Sequence, residues 1–172
     1  MIDYIQRTST IHTYTGGSDG PASIDGDWAT SMYDIVPSHQ GPSNASVQSE
    51  HTFSGKRIIK QIDFKITSYA RNADCCVFGY GKSNSWSYEY YNYDTLTWTT
   101  FPGASGSGEA GAHITLTVDD FGKIRTDKVR ATASGSSWTN CSGGDSCQET
   151  EAGGRIYEMQ CWVKPKAYAR IM

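Results

Sequence analysis

Apolar and polar positions alternate through most of the chain, and helical periodicity is scarce. In residues 58–69, IIKQIDFKITSY, the side chains of Ile62, Phe64 and Ile66 fall on one side of an extended backbone, because successive strand residues point to opposite faces. Residues 113–122, HITLTVDDFG, place Ile114, Leu116 and Val118 on one face in the same way. Residues 85–101, SWSYEYYNYDTLTWTTF, read as a hairpin. Trp86, Tyr88 and Tyr90 alternate, NYD turns, and TLTWTTF returns with threonines and aromatics, which suit a pleated, half-buried surface. Shorter runs at 11–15 (IHTYT), 75–82 (CCVFGYGK), 123–134 (KIRTDKVRATAS) and 155–163 (RIYEMQCWV) complete the set. About eight strands at this spacing predict an all-β fold, an antiparallel sandwich or barrel.

Stretches rich in glycine and serine separate these runs. Residues 102–112, PGASGSGEAGA, are expected to form a loop within one domain, since the strands on both sides need partners. Residues 134–154 read as a long loop before the last strand, and long loops in compact domains often carry function. The chain has 172 residues, which suits a single domain. Its 18 glycines, 11 tyrosines and 5 tryptophans fit turns and aromatic strands, and few Leu, Ala or Glu runs remain to build helices. A net charge of −3 without a basic stripe argues against a nucleic-acid partner. No apolar run approaches the roughly 20 residues that span a bilayer, so no membrane insertion is expected. The opening MIDYIQRTST lacks the apolar centre of a signal peptide.

The five cysteines are Cys75, Cys76, Cys141, Cys147 and Cys161. No CxxC pair occurs and the histidines are scattered, which speaks against a zinc site. Cys141 and Cys147 bracket SGGDS, a loop flexible enough to close. They are either a disulfide, contributing about 2 kcal/mol by loop closure, or two thiols of a reducing compartment. Cys161 alternates with apolar residues and reads as a small core residue. Nothing resembles a nucleophile elbow, a phosphate loop or a zinc-ligand pattern, so no enzyme is expected.

Sugar recognition asks for an aromatic face beside planar polar groups. Three stretches read as loops with that chemistry: SYARNAD with Arg71 and Asn72, GKSNSW with Asn84 and Trp86, and GSSWTN with Trp138 and Asn140. Trp138 is either a ligand contact or a loop anchor. Trp86 also continues the alternation of Tyr88 and Tyr90, which offers it a core role. Trp98 reads as core, His113 as structural, and Arg130, between Val129 and Ala131, as a structural arginine.

The order of these pieces resembles the discoidin, or galactose-binding-like, domain family, which includes coagulation-factor C-type domains and carbohydrate-binding modules. SIDGDWAT (23–30) is similar to the family's early Asp-Gly-x-x-x-Thr loop. KRIIKQIDFKI (56–66) is similar to the strand after it, YEYYNYDTLTWTTF (88–101) to its hairpin, KVRATA (128–133) to its arginine-bearing strand, and GGRIYEMQCWV (153–163) to its closing strand. Met32 stands where a tryptophan is common. The match covers 23–163, leaving 1–22 as an N-terminal extension or first strand and 164–172 as a tail. The resemblance implies a jelly-roll sandwich with a calcium ion held between the Asp-Gly loop and the closing-strand glutamate: Asp25, Asp27, Thr30 and Glu158. Such oxygens suit calcium. The alternative is that Asp25 and Asp27 cap a turn and Glu158 is exposed. In the calcium arrangement Tyr157 and Met159 should face away from Glu158. The resemblance further implies ligand loops at one end of the sandwich, around Arg71, Asn72, Trp86, Trp138 and Asn140.

The reading that follows is a non-catalytic module binding a cell-surface or matrix glycan outside the cell, with structural calcium. The alternative is a virion component, a phage capsid decoration or tail-adhesion protein, that uses the same sandwich against other assembly proteins and needs no leader.

Overall fold

The computed structural model describes residues 3–5, 7–15, 32–38, 43–71, 80–107, 113–117, 124–139 and 150–164. Nine strands form among them: β1 (Asp3–Tyr4), β2 (Arg7–Thr15), β3 (Met32–Ser38), β4 (Ser43–Arg71), β5 (Tyr80–Asn92), β6 (Thr97–Gly106), β7 (His113–Thr117), β8 (Arg125–Thr139) and β9 (Thr150–Val163). Every pairing is antiparallel. No helix among the described residues is long and apolar enough to cross a membrane.

The long strand β4 builds both layers of a sandwich. Its first half pairs with β2 on one side and with β8 on the other. β8 in turn pairs with β5, and β5 with β6. The second half of β4 pairs with β9 and β7, while β1 and β3 add to the far side of β9. The change of layer falls between Thr52 and Arg57, where the register against β8 shifts. Gly55 sits there at φ 77°, a left-handed conformation that glycine adopts without Cβ strain. Such a bulge bends a strand and lets it change sheets.

The register defines two ends. At the loop end β3 finishes at Ser38, β4 starts at Ser43 and finishes at Arg71, β5 starts at Tyr80, β8 finishes at Thr139 and β9 starts at Thr150. At the corner end lie the bend of β4, the turn Tyr93–Leu96 between β5 and β6, the start of β8 and the finish of β9. There Ile59 donates its N–H to Ile124 and Lys164 donates to Ile58.

Alternating residues of both layers fill the space between them. Val47 and Phe53 come from the first half of β4, Ile62, Phe64 and Ile66 from the second, and Val129, Ala131 and Ala133 from β8. Tyr88, Phe101 and Met159 add bulk. Phe64, Tyr88, Phe101 and Tyr90 form a chain of ring contacts with successive centroid distances of 5.2, 5.4 and 5.0 Å. Cys161 is buried, as its alternation predicts, and shares a 3.2 Å hydrogen bond with the Tyr88 hydroxyl.

Three expectations need correction, and one strand lies where the pattern shows none. Residues 43–53 are a strand that the pattern hides, because buried Ser49 and His51 interrupt its apolar face of Ala45, Val47 and Phe53. β6 runs on to Gly106 through the stretch expected as a loop; it tolerates Pro102 and Gly103 by bulging out of register opposite Tyr88. GKSNSW and the first five residues of GSSWTN are likewise strand, in β5 and β8. Finally, Trp98 is half-buried on the outer face of its sheet, edge-on to Tyr91 at 5.5 Å, and takes no part in the core.

Candidate functional site

The closing strand carries the first candidate. Glu158 pairs across the ladder with Lys65, and Ile156 with the next residue, Ile66. Tyr157 is therefore an extra residue, and the strand bulges at it. Met159 pairs with the core residue Phe64 and Glu158 with its neighbour Lys65, so Met159 faces away from Glu158 as expected. Tyr157 does not: the bulge sets it beside Glu158, with the Lys65 ammonium 4.1 Å over its ring. The reading of Glu158 as an exposed residue fails, since it is 1% exposed. Its carboxylate Oε1 accepts the Met159 N–H at 3.1 Å. On the neighbouring ladder Met32, the first described residue after Thr30, pairs with Ile156, two positions from Glu158. Asp25, Asp27 and Thr30 themselves lie outside the described residues. Among the described residues no three His, Cys, Asp or Glu gather to hold a metal.

The residues expected to touch a sugar divide into two groups. Arg71 closes β4 opposite Glu151, and Trp138 lies one residue from the end of β8, opposite Gly81. The register thus brings the backbones of both to the loop end, on different layers. Asn72 and Asn140, the next residues out, fall outside the described residues, as do Cys141 and Cys147. Trp86 is placed otherwise. It pairs with Ala133 and Gly106 in mid-strand, its ring packs on Phe64 at 5.7 Å, and it is half-buried against the core. Gly106 lies so close over it that a Cβ there would sit 2.7 Å from the indole.

The outer face of the β8–β5–β6 layer carries a second constellation. Arg130 donates from Nε to Glu89 at 2.6 Å and stacks on Trp98, 4.4 Å from its centroid. Lys128 pairs with Glu50 at 3.7 Å. Tyr91 meets Trp98 and Tyr93 edge-on. Arg130 is thus a structural arginine, as expected, although it works on this face and not between the layers. Tyr93 donates its hydroxyl to Asp127 at 2.5 Å. That bond pushes the phenol up to about 12, the carboxylate acceptor being the main cause and burial a lesser one. The sequence signal for this end is the NYD turn, which by itself reads only as a connection.

Chemically, the described residues offer binding groups. The buried thiol of Cys161 is inert at neutral pH: burial raises it to about 12, so it carries no appreciable thiolate. Burial also raises Tyr88 well above the ordinary phenol range.

No protein-family model and no curated protein matches the chain. Solved structures do match it, among them carbohydrate-binding modules and an F5/8 type C domain. The F5/8 type C domain of a Bacteroides fragilis protein is 12% identical, with 96% of this chain and 98% of that one covered at a TM-score of 0.47. A Clostridium perfringens carbohydrate-binding module in complex with GlcNAc-α-1,4-galactose is 15% identical, covering 93% of this chain and 94% of that one at 0.44. Truncated AlyQ, with CBM32 and alginate lyase domains, is 14% identical at 0.45; 97% of this chain covers 35% of it. The sandwich itself rests on the ladders described above.

Proposed function

We propose that the chain is a non-catalytic carbohydrate-binding module that works outside the cell and takes a glycan at its loop end. The observation that carries this reading is the register that brings Arg71 and Trp138, on separate layers, to the same end of the sandwich. An indole there supplies an apolar face for a pyranose ring, and a guanidinium supplies a fork of donors for its hydroxyls. Asn72 and Asn140 follow these two strands in sequence and would add amides. The resemblance of residues 23–163 to galactose-binding-like domains points the same way.

The proposal includes a structural calcium ion held by Asp25, Asp27, Thr30 and Glu158. What supports it is a nearly fully buried carboxylate on the closing strand, two ladder positions from the pair that the Asp-Gly loop leads into. Carboxylate, hydroxyl and carbonyl oxygens are the donors calcium takes. The ion would fasten the segment before β3 to the closing strand and supply no reaction chemistry.

Titration of the purified protein with glycans tests the binding role. Trp138→Ala and Arg71→Ala are expected to weaken binding at least about tenfold each while leaving the melting temperature within a few degrees. Unchanged affinity in both variants would remove the loop end from the account.

A further inference from the structure

A cleft of about 630 Å³ opens at the corner end, far from Arg71 and Trp138. Its walls come from three places: Lys56 at the bend of β4, Tyr90, Asn92, Tyr93 and Asp94 at the β5–β6 turn, and Ile124 and Arg125 at the start of β8. The volume lies within the range of small-ligand sites.

The groups in this cleft are held in place. The Tyr93 hydroxyl is fixed by Asp127, and the Lys56 ammonium sits 3.2 Å over the Tyr93 ring centroid. Asn92 accepts the Asp94 N–H through Oδ1 at 2.9 Å, which leaves its amide nitrogen as a donor. Lys56 and Arg125 are both exposed. Among the described residues neither has a carboxylate within ion-pair distance. Among the described residues the cleft is lined by two cations without a carboxylate partner and one acid, Asp94, while Asp127 is engaged by the Tyr93 hydroxyl. Two exposed cations, a fixed amide and the partly exposed Tyr93 ring together suit a sugar that carries a negative group.

We infer that this cleft is a second carbohydrate site, selective for a pyranose chain bearing a carboxylate or sulfate. The inference rests on the carbohydrate reading above and adds to it an anionic ligand class and a second position. β8 runs the length of the sandwich between the two ends, 15 residues, or roughly 50 Å at strand rise. Two sites so far apart would bind separate glycan chains, or distant segments of one, and each would raise the effective concentration of the other.

The test is amide chemical-shift mapping on the full chain. It uses three probes: an oligogalacturonate, a sulfated galacto-oligosaccharide and its neutral counterpart. The inference predicts that one or both anionic probes shift the amides of Lys56, Asn92–Leu96 and Arg125. The double variant Lys56→Glu/Arg125→Glu changes two exposed side chains, and its fold is checked by its melting temperature. It should weaken that binding by at least about tenfold and leave the neutral probe unaffected. Tyr93→Phe keeps the ring and loses its anchor to Asp127, and should weaken the same probe. Shifts confined to the neighbourhood of Arg71 and Trp138 would overturn the second site while leaving the carbohydrate reading intact. A poly-glutamate peptide that shifts the corner-end amides when no sugar does would overturn it in favour of a protein partner. Absence of any glycan response at either end would overturn both.

Discussion

Gly154→Ala should be among the most destabilising single-methyl changes in the sandwich. Gly154 of β9 faces Ala133 of β8 across the two layers. A Cβ at 154 would lie 2.6 Å from the Ala133 carbonyl carbon, closer still to its oxygen, and 2.8 Å from its Cβ. None of these is the yielding end of a long side chain, so the strands must part. A local gap of roughly 0.5–1 Å forfeits about a quarter to a half of the dispersion attraction of each contact it opens. The cost is therefore placed in the upper part of the overpacking range, about 2–3 kcal/mol. For a chain of this size that is a fall in Tm of roughly 4–12 °C. Gly55→Ala is the control. A methyl group at Gly55 would meet nothing within 4 Å, but the backbone there has a φ of 77°, so its cost is conformational, about 1 kcal/mol. Thermal unfolding by circular dichroism, with urea titration for ΔG, separates the two. If Gly154→Ala melts with wild type, or above Gly55→Ala, the layers do not meet at Ala133 and the sandwich register is wrong.

Other outcomes follow from the same geometry. Tyr88→Phe removes the hydroxyl bonded to Cys161 in a fully buried site and should cost about 0.5–1.5 kcal/mol by urea unfolding. Tyr93 should titrate near 12 by ultraviolet absorbance, and Asp127→Asn should return it toward the ordinary 10.0. Because folding raises this phenol, its contribution to stability is fully present below pH 10 and is lost as pH rises through 12. A double-mutant cycle on Arg130 and Glu89, a partly buried pair at 2.6 Å, should return a coupling of about 1 kcal/mol.

Much of the sandwich is legible in the sequence because strands with an apolar inner face announce themselves. Residues 58–69 and the hairpin around Tyr88 keep strict alternation, and both are strands. The first half of β4 is not legible, since Ser49 and His51 face inward with the apolar residues. The end of β6 is hidden by Pro102 and Gly103, which normally break strands and here sit in a bulge. Trp98 departs from the expectation that a tryptophan in a strand turns inward; its partners Tyr91 and Arg130 make an outer-face stack. Glu158 is buried although it lies on the Lys65 side of its sheet and not on the core side with Phe64 and Met159; alternation gives a residue's face and not whether that face is covered. The corner cleft joins residues as far apart as Lys56 and Arg125, which only the crossing of β4 between layers brings together.

The most direct measurement of the central claim is a glycan-array screen of the folded protein, run with calcium and with a chelator, with Tm recorded in both conditions. The account predicts binding to a defined set of glycans and a Tm that falls on chelation, by an amount that Glu158→Gln reproduces without chelator. A well-folded protein that binds no glycan in either condition would contradict the carbohydrate-binding function, and a Tm indifferent to chelator would contradict the calcium clasp.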